Sequence, residues 1–591
     1  MTDWTPNYGN LDATAPTWAA KRPVRIALLG DFGAGAVAGR LDSGDDLARR
    51  KPRAVEFDSL EDWLGQQGIT LSLPVGAHGA AVDVPLADLE SFHPDTLFRE
   101  LELFKKLHDL RKRLNNTANF DKAAAEVAKL SGTKKKASRA GRGVRPRGAA
   151  PATGARLDDF ARLTGRTSVQ AEGGIDALLR DVIGPFVVPA AKPEKAALLA
   201  TLDAAIADSM RAVLHQPDFQ AAESLWRGVD FLLRRLETGP MLQVHLIDIS
   251  AEEFAADLSS TDDLADTGLH RLLVNKPAEA KDGGYTFIAG LYQFEATPPH
   301  TELLGRMAKI ADAAGASFFT AMAVDDLVNA KKPPHPLVAE AFEALQGLPE
   351  ARRLVLLGPR FLLRHPYGKR SDPISSFAFE EFTLTDGLGG MLWGHPALLA
   401  LTALAGQGGT PTVTDLPFHH FVDADGDSTA LPCTERFMST TAVSELGRWG
   451  VAALVAHKGE PSVRLSGLGG IAAAGAASKA GARAGIEMNV KSKLAETPKR
   501  SAPTKASQDD DEPSGSGDDS GGSSSDMDDL LAGLGGSDSD DSGSSSSSSD
   551  SDLDALLAGL GGGDDAPASD DTAAGDDGMD AELAALLKSL G

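Results

Sequence analysis

The pattern of apolar and polar positions changes period several times along the chain. Residues 24–29 (Val-Arg-Ile-Ala-Leu-Leu) form a nearly continuous apolar run, as expected of a strand with both faces covered. A helix is expected to start at 60–64, with Ser59 as N-cap and Asp62 in the weaker, Asp-bearing form of a capping box. Residues 69–73 and 81–84 read as short strands. Pro94 opens an expected helix reaching about Leu114, with Leu97, Leu101, Phe104 and Leu107 at three- and four-residue spacing on one face. Two helices, 195–214 and 218–236, are expected to break at Pro217, with Asp218 capping the second. Ser250-Ala-Glu-Glu253 is a capping box that opens a short helix. Residues 241–247, 285–291, 317–323 and 354–357 read as strands, and 301–314 as a helix stopped by Gly315. Strand alternating with helix argues for an α/β fold with a mostly parallel sheet.

Charge divides the chain further. The formal net charge is −26, but residues 501–591 hold 23 acidic residues against two lysines. The remaining 500 residues carry only about −5, so the acidity belongs to a tail. Between Lys129 and Arg147 lie eight basic residues and no acid, mixed with Gly, Ser and Pro, which reads as a disordered tether. No aromatic is interleaved there for base stacking, so nucleic acid is not an expected partner. The expected organisation is a flexible lead at 1–22, an α/β domain at 23–128, the basic linker at 129–156 and a second α/β domain at 157–465. A Gly/Ala-rich to basic linker at 466–500 and a disordered acidic Ser/Asp/Gly tail at 501–591 follow.

Three tail segments share one frame: residues 527–534, 553–560 and 583–590. Each places apolar residues at relative positions 1, 4, 5 and 8, one face of two helical turns, and each is followed by Gly. The pairs Leu530-Leu531, Leu556-Leu557 and Leu586-Leu587 are therefore candidate docking motifs for an unknown partner, against the plainer reading of a solubilising tail.

Chemistry is sparse. Gly30-Asp-Phe-Gly-Ala-Gly35 follows a strand, but its spacing is not the dinucleotide fingerprint, and no Walker-type Gly-Lys-Ser/Thr occurs. Asp423-Ala-Asp-Gly-Asp427 lacks the Gly and Glu spacing of a calcium loop. His419 and His420 point to opposite faces if they lie on a strand. Trp226 reads as core. The expectation is a non-enzyme with no cofactor and no metal. One cysteine, Cys433, fits a reducing compartment. No signal peptide or span of about twenty apolar residues is seen, so membrane insertion is not expected.

The densest stretch is Pro359-Arg-Phe-Leu-Leu-Arg-His-Pro-Tyr-Gly-Lys-Arg-Ser-Asp-Pro-Ile-Ser-Ser-Phe-Ala-Phe-Glu-Glu381. Its X-Pro turns, aromatics and opposed charges suit protein contact rather than catalysis. Arg360, Arg364, Tyr367, Glu380 and Glu381 are its candidate assembly residues, with the charges expected to be exposed.

This stretch resembles the large subunit of the type VI secretion contractile sheath. So do residues 215–228 (His-Gln-Pro-Asp-Phe-Gln-Ala-Ala-Glu-Ser-Leu-Trp-Arg-Gly), 302–311 and 432–435. Upstream, residues 25–33, 49–57, 89–97 and 102–111 resemble the sheath small subunit. After Leu468 no resemblance to the long C-terminal region of a large subunit is seen. The resemblance implies a fused small-plus-large subunit, a bacterial cytoplasmic location and assembly with itself or other sheath subunits, with inner-tube or baseplate proteins as possible neighbours. In that family, interlocked dimers stack into rings that shorten to drive a tube outward. An accessory protein that caps, docks to or regulates a sheath is the alternative; a nucleotide-binding enzyme is a remote one.

Overall fold

The computed structural model describes residues 5–13, 22–75, 81–130, 195–280, 283–328, 333–406, 411–422 and 428–471, with Leu179 and Ile183. Helix Phe120–Leu130 takes in the first two residues assigned to the basic linker; the rest of that linker, the calcium-like run 423–427 and the three tail motifs lie outside the described residues.

Fifteen strands are described: β1 Val24–Gly30, β2 Arg53–Val55, β3 Ile69–Pro74, β4 Ala81–Leu86, β5 Leu242–Asp248, β6 Phe287–Phe294, β7 Ser317–Met322, β8 Leu354–Gly358, β9 Phe361–Leu362, β10 Trp393–Gly394, β11 Thr412–Val413, β12 His420–Val422, β13 Ser428–Ala430, β14 Val451–Ala456 and β15 Val463–Leu465. Nine form one sheet in the order β11-β15-β14-β8-β7-β6-β1-β5-β2. The six strands from β14 to β5 run parallel, while the edge strands β11 and β2, and β15 next to β11, are antiparallel to their neighbours.

The position of β1 is the main topological fact. It lies between β5 and β6, with Ile26 opposite Val244 on one side and Phe287 on the other. All seven of its residues are buried, and its side chains divide by alternation between the two faces. Ile26 and Leu28 join the core beneath helices Lys195–Leu214 and Pro217–Arg235, together with Trp226, Phe219 and Leu398. Ala27 and Leu29 join the core beneath helices Ala251–Ser259 and Pro298–Ala314, with Phe254, Leu303 and Met307. The mixed α/β class with a mostly parallel sheet is as expected from the alternation of periods. The sheet, however, is shared: residues before 128 and residues after 195 contribute to the same nine strands.

Several local expectations need correction. The single helix from Pro94 is two, Pro94–Glu100 and Glu102–Asn115, because Leu101 is extended (φ −75, ψ 132). The stripe survives the break: Leu97, Leu101, Phe104 and Leu107 are all buried. The second helix of the pair begins at Pro217, and Gln216 rather than Asp218 caps it, its side chain accepting from the N–H groups of Asp218 and Phe219. Proline suits the first helical position, and Asp218 then sits in the first turn, where negative charge is favourable. Ser59 does not cap helix Leu60–Gln67; its Oγ instead accepts from the N–H of Glu56. The capping box at Ser250 and Glu253 forms as expected.

Residues 5–13, expected within a flexible lead, lie against helix Pro298–Ala314. Arg306 Nε donates to the Asn7 carbonyl at 2.9 Å, Lys309 Nζ donates to the Gly9 carbonyl at 2.7 Å, and Asn10 N–H donates to the Asp262 carbonyl at 2.7 Å.

Candidate functional site

Two of the stretches singled out in the sequence, 215–228 and 359–381, converge on one buried cluster. Helix Pro217–Arg235 carries Glu223 and, four residues on, Arg227, whose Nε donates to Glu223 Oε1 at 2.8 Å. The chain after β9 brings Arg364, whose Nε donates to the same oxygen at 2.8 Å. Arg364 also grips Glu381 through Nη1 and Nη2 at 2.7 and 3.0 Å. The Arg364 guanidinium lies 4.2 Å from the centre of the Tyr367 ring, and Tyr367 N–H donates to Glu381 Oε2. Two carboxylates and two guanidiniums therefore balance with little water: Glu223 and Glu381 are 0 and 1% exposed, and Tyr367 is 2% exposed.

Electrostatics follow from that burial. Burial alone would raise the Glu223 carboxyl, but Arg364 and Arg227 outweigh it and hold the group below the usual carboxylate range. Burial would likewise weaken the Arg364 charge, and Glu223 and Glu381 reverse that, raising its pKa well above the ordinary value. Burial pushes His215, on the adjoining turn, downward; its Nε2 stands 3.9 Å from Glu381.

The expectation that Arg364 and Glu381 are exposed charges is thus corrected: within one chain Arg364 pairs in the interior with Glu381 and with Glu223, the latter 141 residues away in sequence. Arg360 is also engaged, pairing with Glu435 at 2.6 Å, so the 359–381 and 432–435 stretches meet as well. Glu380 stays exposed and accepts from Lys369 N–H. Glu223 went unnoticed in the sequence, although a charged residue between Phe219 and Trp226 on an apolar helix face was a usable signal.

The 89–97 stretch packs onto the same segment. Phe98 stacks on Phe377 with centroids 4.8 Å apart, His93 meets the Tyr367 ring at 5.1 Å, and Phe92 meets Phe219 at 5.5 Å. Asp95 accepts from the N–H groups of Ser375 and Ser376 and from the Ser375 hydroxyl. Burial would raise its pKa, but these donors hold it down at about 2. Nearby, Phe32, Trp63 and Trp226 form a three-ring cluster with centroids 5.3 to 5.6 Å apart, placing Trp226 in the core as expected.

A second polar node closes the far side of β1. Arg40 donates to Asp248 at 2.7 Å and to Glu253 at 3.0 Å, and Arg50 donates to Glu253 and Asp42, both at 2.6 Å. The glycine turn after β1 folds onto these acids. Gly33 N–H donates to Asp248, while those of Gly35 and Ala36 donate to Asp31. Amides that a phosphate would need are already engaged by carboxylates. His419 packs on Phe382 and His420 on Phe418, so the two rings have separate neighbours. Among the described residues no group of three or more His, Cys, Asp or Glu could hold a metal ion, and no helix is long and apolar enough to cross a membrane.

What this arrangement can do is hold segments of one chain together; it presents no nucleophile beside a base. Comparison with known proteins points the same way. Residues 196–468 match the VipB family model (EvpB/VC_A0108, tail sheath N-terminal domain). The type VI secretion system sheath protein TssC1 of Pseudomonas aeruginosa is 28% identical over 291 residues, covering 44% of this chain. The chain spans 58% of that relative's length. Across the span that carries the Glu223–Arg364–Glu381 cluster, the chain is therefore similar to the large sheath subunit of type VI secretion.

Proposed function

We propose that this chain is a non-catalytic sheath-type building block in which residues 23–128 take the part of the small subunit and residues 157–465 that of the large one. The observation that carries this reading is β1, bonded along both edges by strands of the sheath-like region. A small-subunit-like segment that supplies a central strand is a structural component of the protomer, not an appended module. Fusion would hold the halves at about millimolar effective concentration and impose one-to-one pairing. Assembly with further copies or other sheath subunits, in the cytoplasm, follows from this reading. The exposed Lys369, Arg370 and Glu380 are the candidate contacts left on the 359–381 segment. Negative-stain microscopy of the purified protein tests it: tubes or rings are expected, and discrete particles would count against sheath building.

A second reading, an accessory protein docked to a sheath, is favoured by one observation. The family match ends at residue 468, and an acidic tail with three leucine motifs follows. Pull-down of purified sheath subunits by residues 501–591, compared with a variant carrying Ser at Leu530, Leu531, Leu556, Leu557, Leu586 and Leu587, separates the two.

A further inference from the structure

Outside the carboxyl ends of β1 and β6 the structure holds a small cleft of ≈ 80 Å³. It lies where the neighbours of β1 diverge, β5 to one side and β6 to the other, the crevice where open α/β sheets commonly bind ligands. One wall is the turn after β1, with Ala34, Ala36 and Val37. The facing wall is helix Pro217–Arg235, with Ala222 and Leu225. Small apolar side chains make the walls, so the cleft suits a thin aliphatic chain rather than a ring. Its polar groups are Asp31, Asp218, Glu252 and Tyr292, with no lysine or arginine among the lining residues. The Tyr292 hydroxyl already donates to the Ile249 carbonyl, and the acidic side chains of the lining give the cleft its negative sign. Phosphates and carboxylates are disfavoured by that sign, and the turn's amides are engaged.

We propose that the cleft receives a lysine side chain from a partner protein, its methylenes between the two alanine-rich walls and its ammonium on Asp31. The proposal does not depend on the sheath reading. The setting of Asp31 supplies a signature. Burial raises its pKa, and Asp248 adds to this, to about 7, although the N–H groups of Gly35 and Ala36 pull the other way. The charged groups around it are Asp248 at the end of β5, itself paired with Arg40, Glu252 on helix Ala251–Ser259, and Asp218 on helix Pro217–Arg235. An ammonium arriving here favours the carboxylate, so binding releases a proton near pH 7 and tightens as pH rises through that value.

The test is calorimetric titration of the full chain with the peptide acetyl-Ala-Lys-Ala-amide, with n-pentylammonium and with n-pentanol, in two buffers of different ionisation enthalpy. The peptide and the amine are expected to bind with proton release, and the neutral alcohol not. Asp31→Asn should weaken both about ten-fold, as loss of a charge-assisted contact does. Because that substitution also touches the turn, Ala222→Leu provides an independent block by filling the opposite wall, and it should abolish binding while leaving the melting temperature near that of the parent. No binding of either cation, equal binding of the alcohol, or binding indifferent to both substitutions would overturn the proposal. Binding of the amine but not the peptide would overturn its assignment to a protein lysine.

Discussion

The ring of Tyr8 lies directly on Gly305: a Cβ at that glycine would stand 2.2 Å from the ring. Alanine in place of a mid-helix glycine ordinarily gains roughly 0.5–1 kcal/mol. Here Gly305→Ala must expel Tyr8, and with it the segment that Arg306 and Lys309 hold by its carbonyls. The substitution is expected to destabilise the chain by about 1–3 kcal/mol, as overpacking does. The double variant Tyr8→Ala, Gly305→Ala should recover most of the loss. Urea denaturation of the four members of this cycle decides it; a gain in stability from Gly305→Ala alone would show that residues 5–11 are not bound as described.

Arg364→Ala should be among the most damaging single changes in the protein. It leaves Glu223 and Glu381 buried beside each other with only Arg227 to offset them. Removing one partner of a buried ion pair costs about 3–5 kcal/mol. Arg364→Lys should recover only part of this, because an ammonium cannot reproduce a fork that serves two carboxylates. Lys369→Ala and Arg370→Ala, at exposed positions of the same segment, should stay within about 0.5 kcal/mol of the parent. Denaturation midpoints for the four variants provide the comparison, and a mild Arg364→Ala would mean that the cluster is hydrated.

A protease site inserted beside Arg142 should yield fragments that remain together on a sizing column without denaturant. Seven residue pairs join β1 to β5 and four join it to β6. Helix Glu102–Asn115 packs on helix Lys195–Leu214, where Arg111 meets Asp203. Withdrawal of the first fragment would open a gap in the middle of the sheet. Separate elution of the two fragments would defeat the shared-sheet account and the proposed fusion with it.

How far the fold could be read from residues is clearest in β1. Its strand character was plain in the run from Val24 to Leu29, because continuous burial leaves a local trace. Its neighbours were not: Val24 pairs with Leu242, and parallel pairing over such a separation has no local pattern. The break at Leu101 was hidden for a related reason, since the buried stripe keeps its spacing across the kink. Arg364 and Glu381 misled because charge in a sequence reads as exposure. Only the distant Glu223, on another element, turns them inward. The convergence of the 215–228, 359–381 and 432–435 stretches was likewise invisible until folding set Glu223 and Glu435 beside their arginines.

Asp31 should make the protein less stable as pH rises from about 5 to 8. In the unfolded chain an aspartate titrates near about 3.9. In the folded protein burial, with Asp248 beside it, raises that value to about 7. Between the two pKa values the folded state holds a proton that the unfolded state has lost. Stability therefore falls with increasing pH across this window, and the contribution is fully lost above the folded pKa. Other groups titrate in the same range, so the informative quantity is the difference between the parent and Asp31→Asn. The variant carries no ionisable group there and keeps an oxygen able to accept from the Gly35 or Ala36 N–H. Urea midpoints measured at pH 5, 6, 7 and 8 should show the parent losing stability relative to the variant, most steeply between pH 5 and 7 and levelling off above pH 7. A constant difference across that range would mean that Asp31 is ionised throughout, and that its two amide donors outweigh burial.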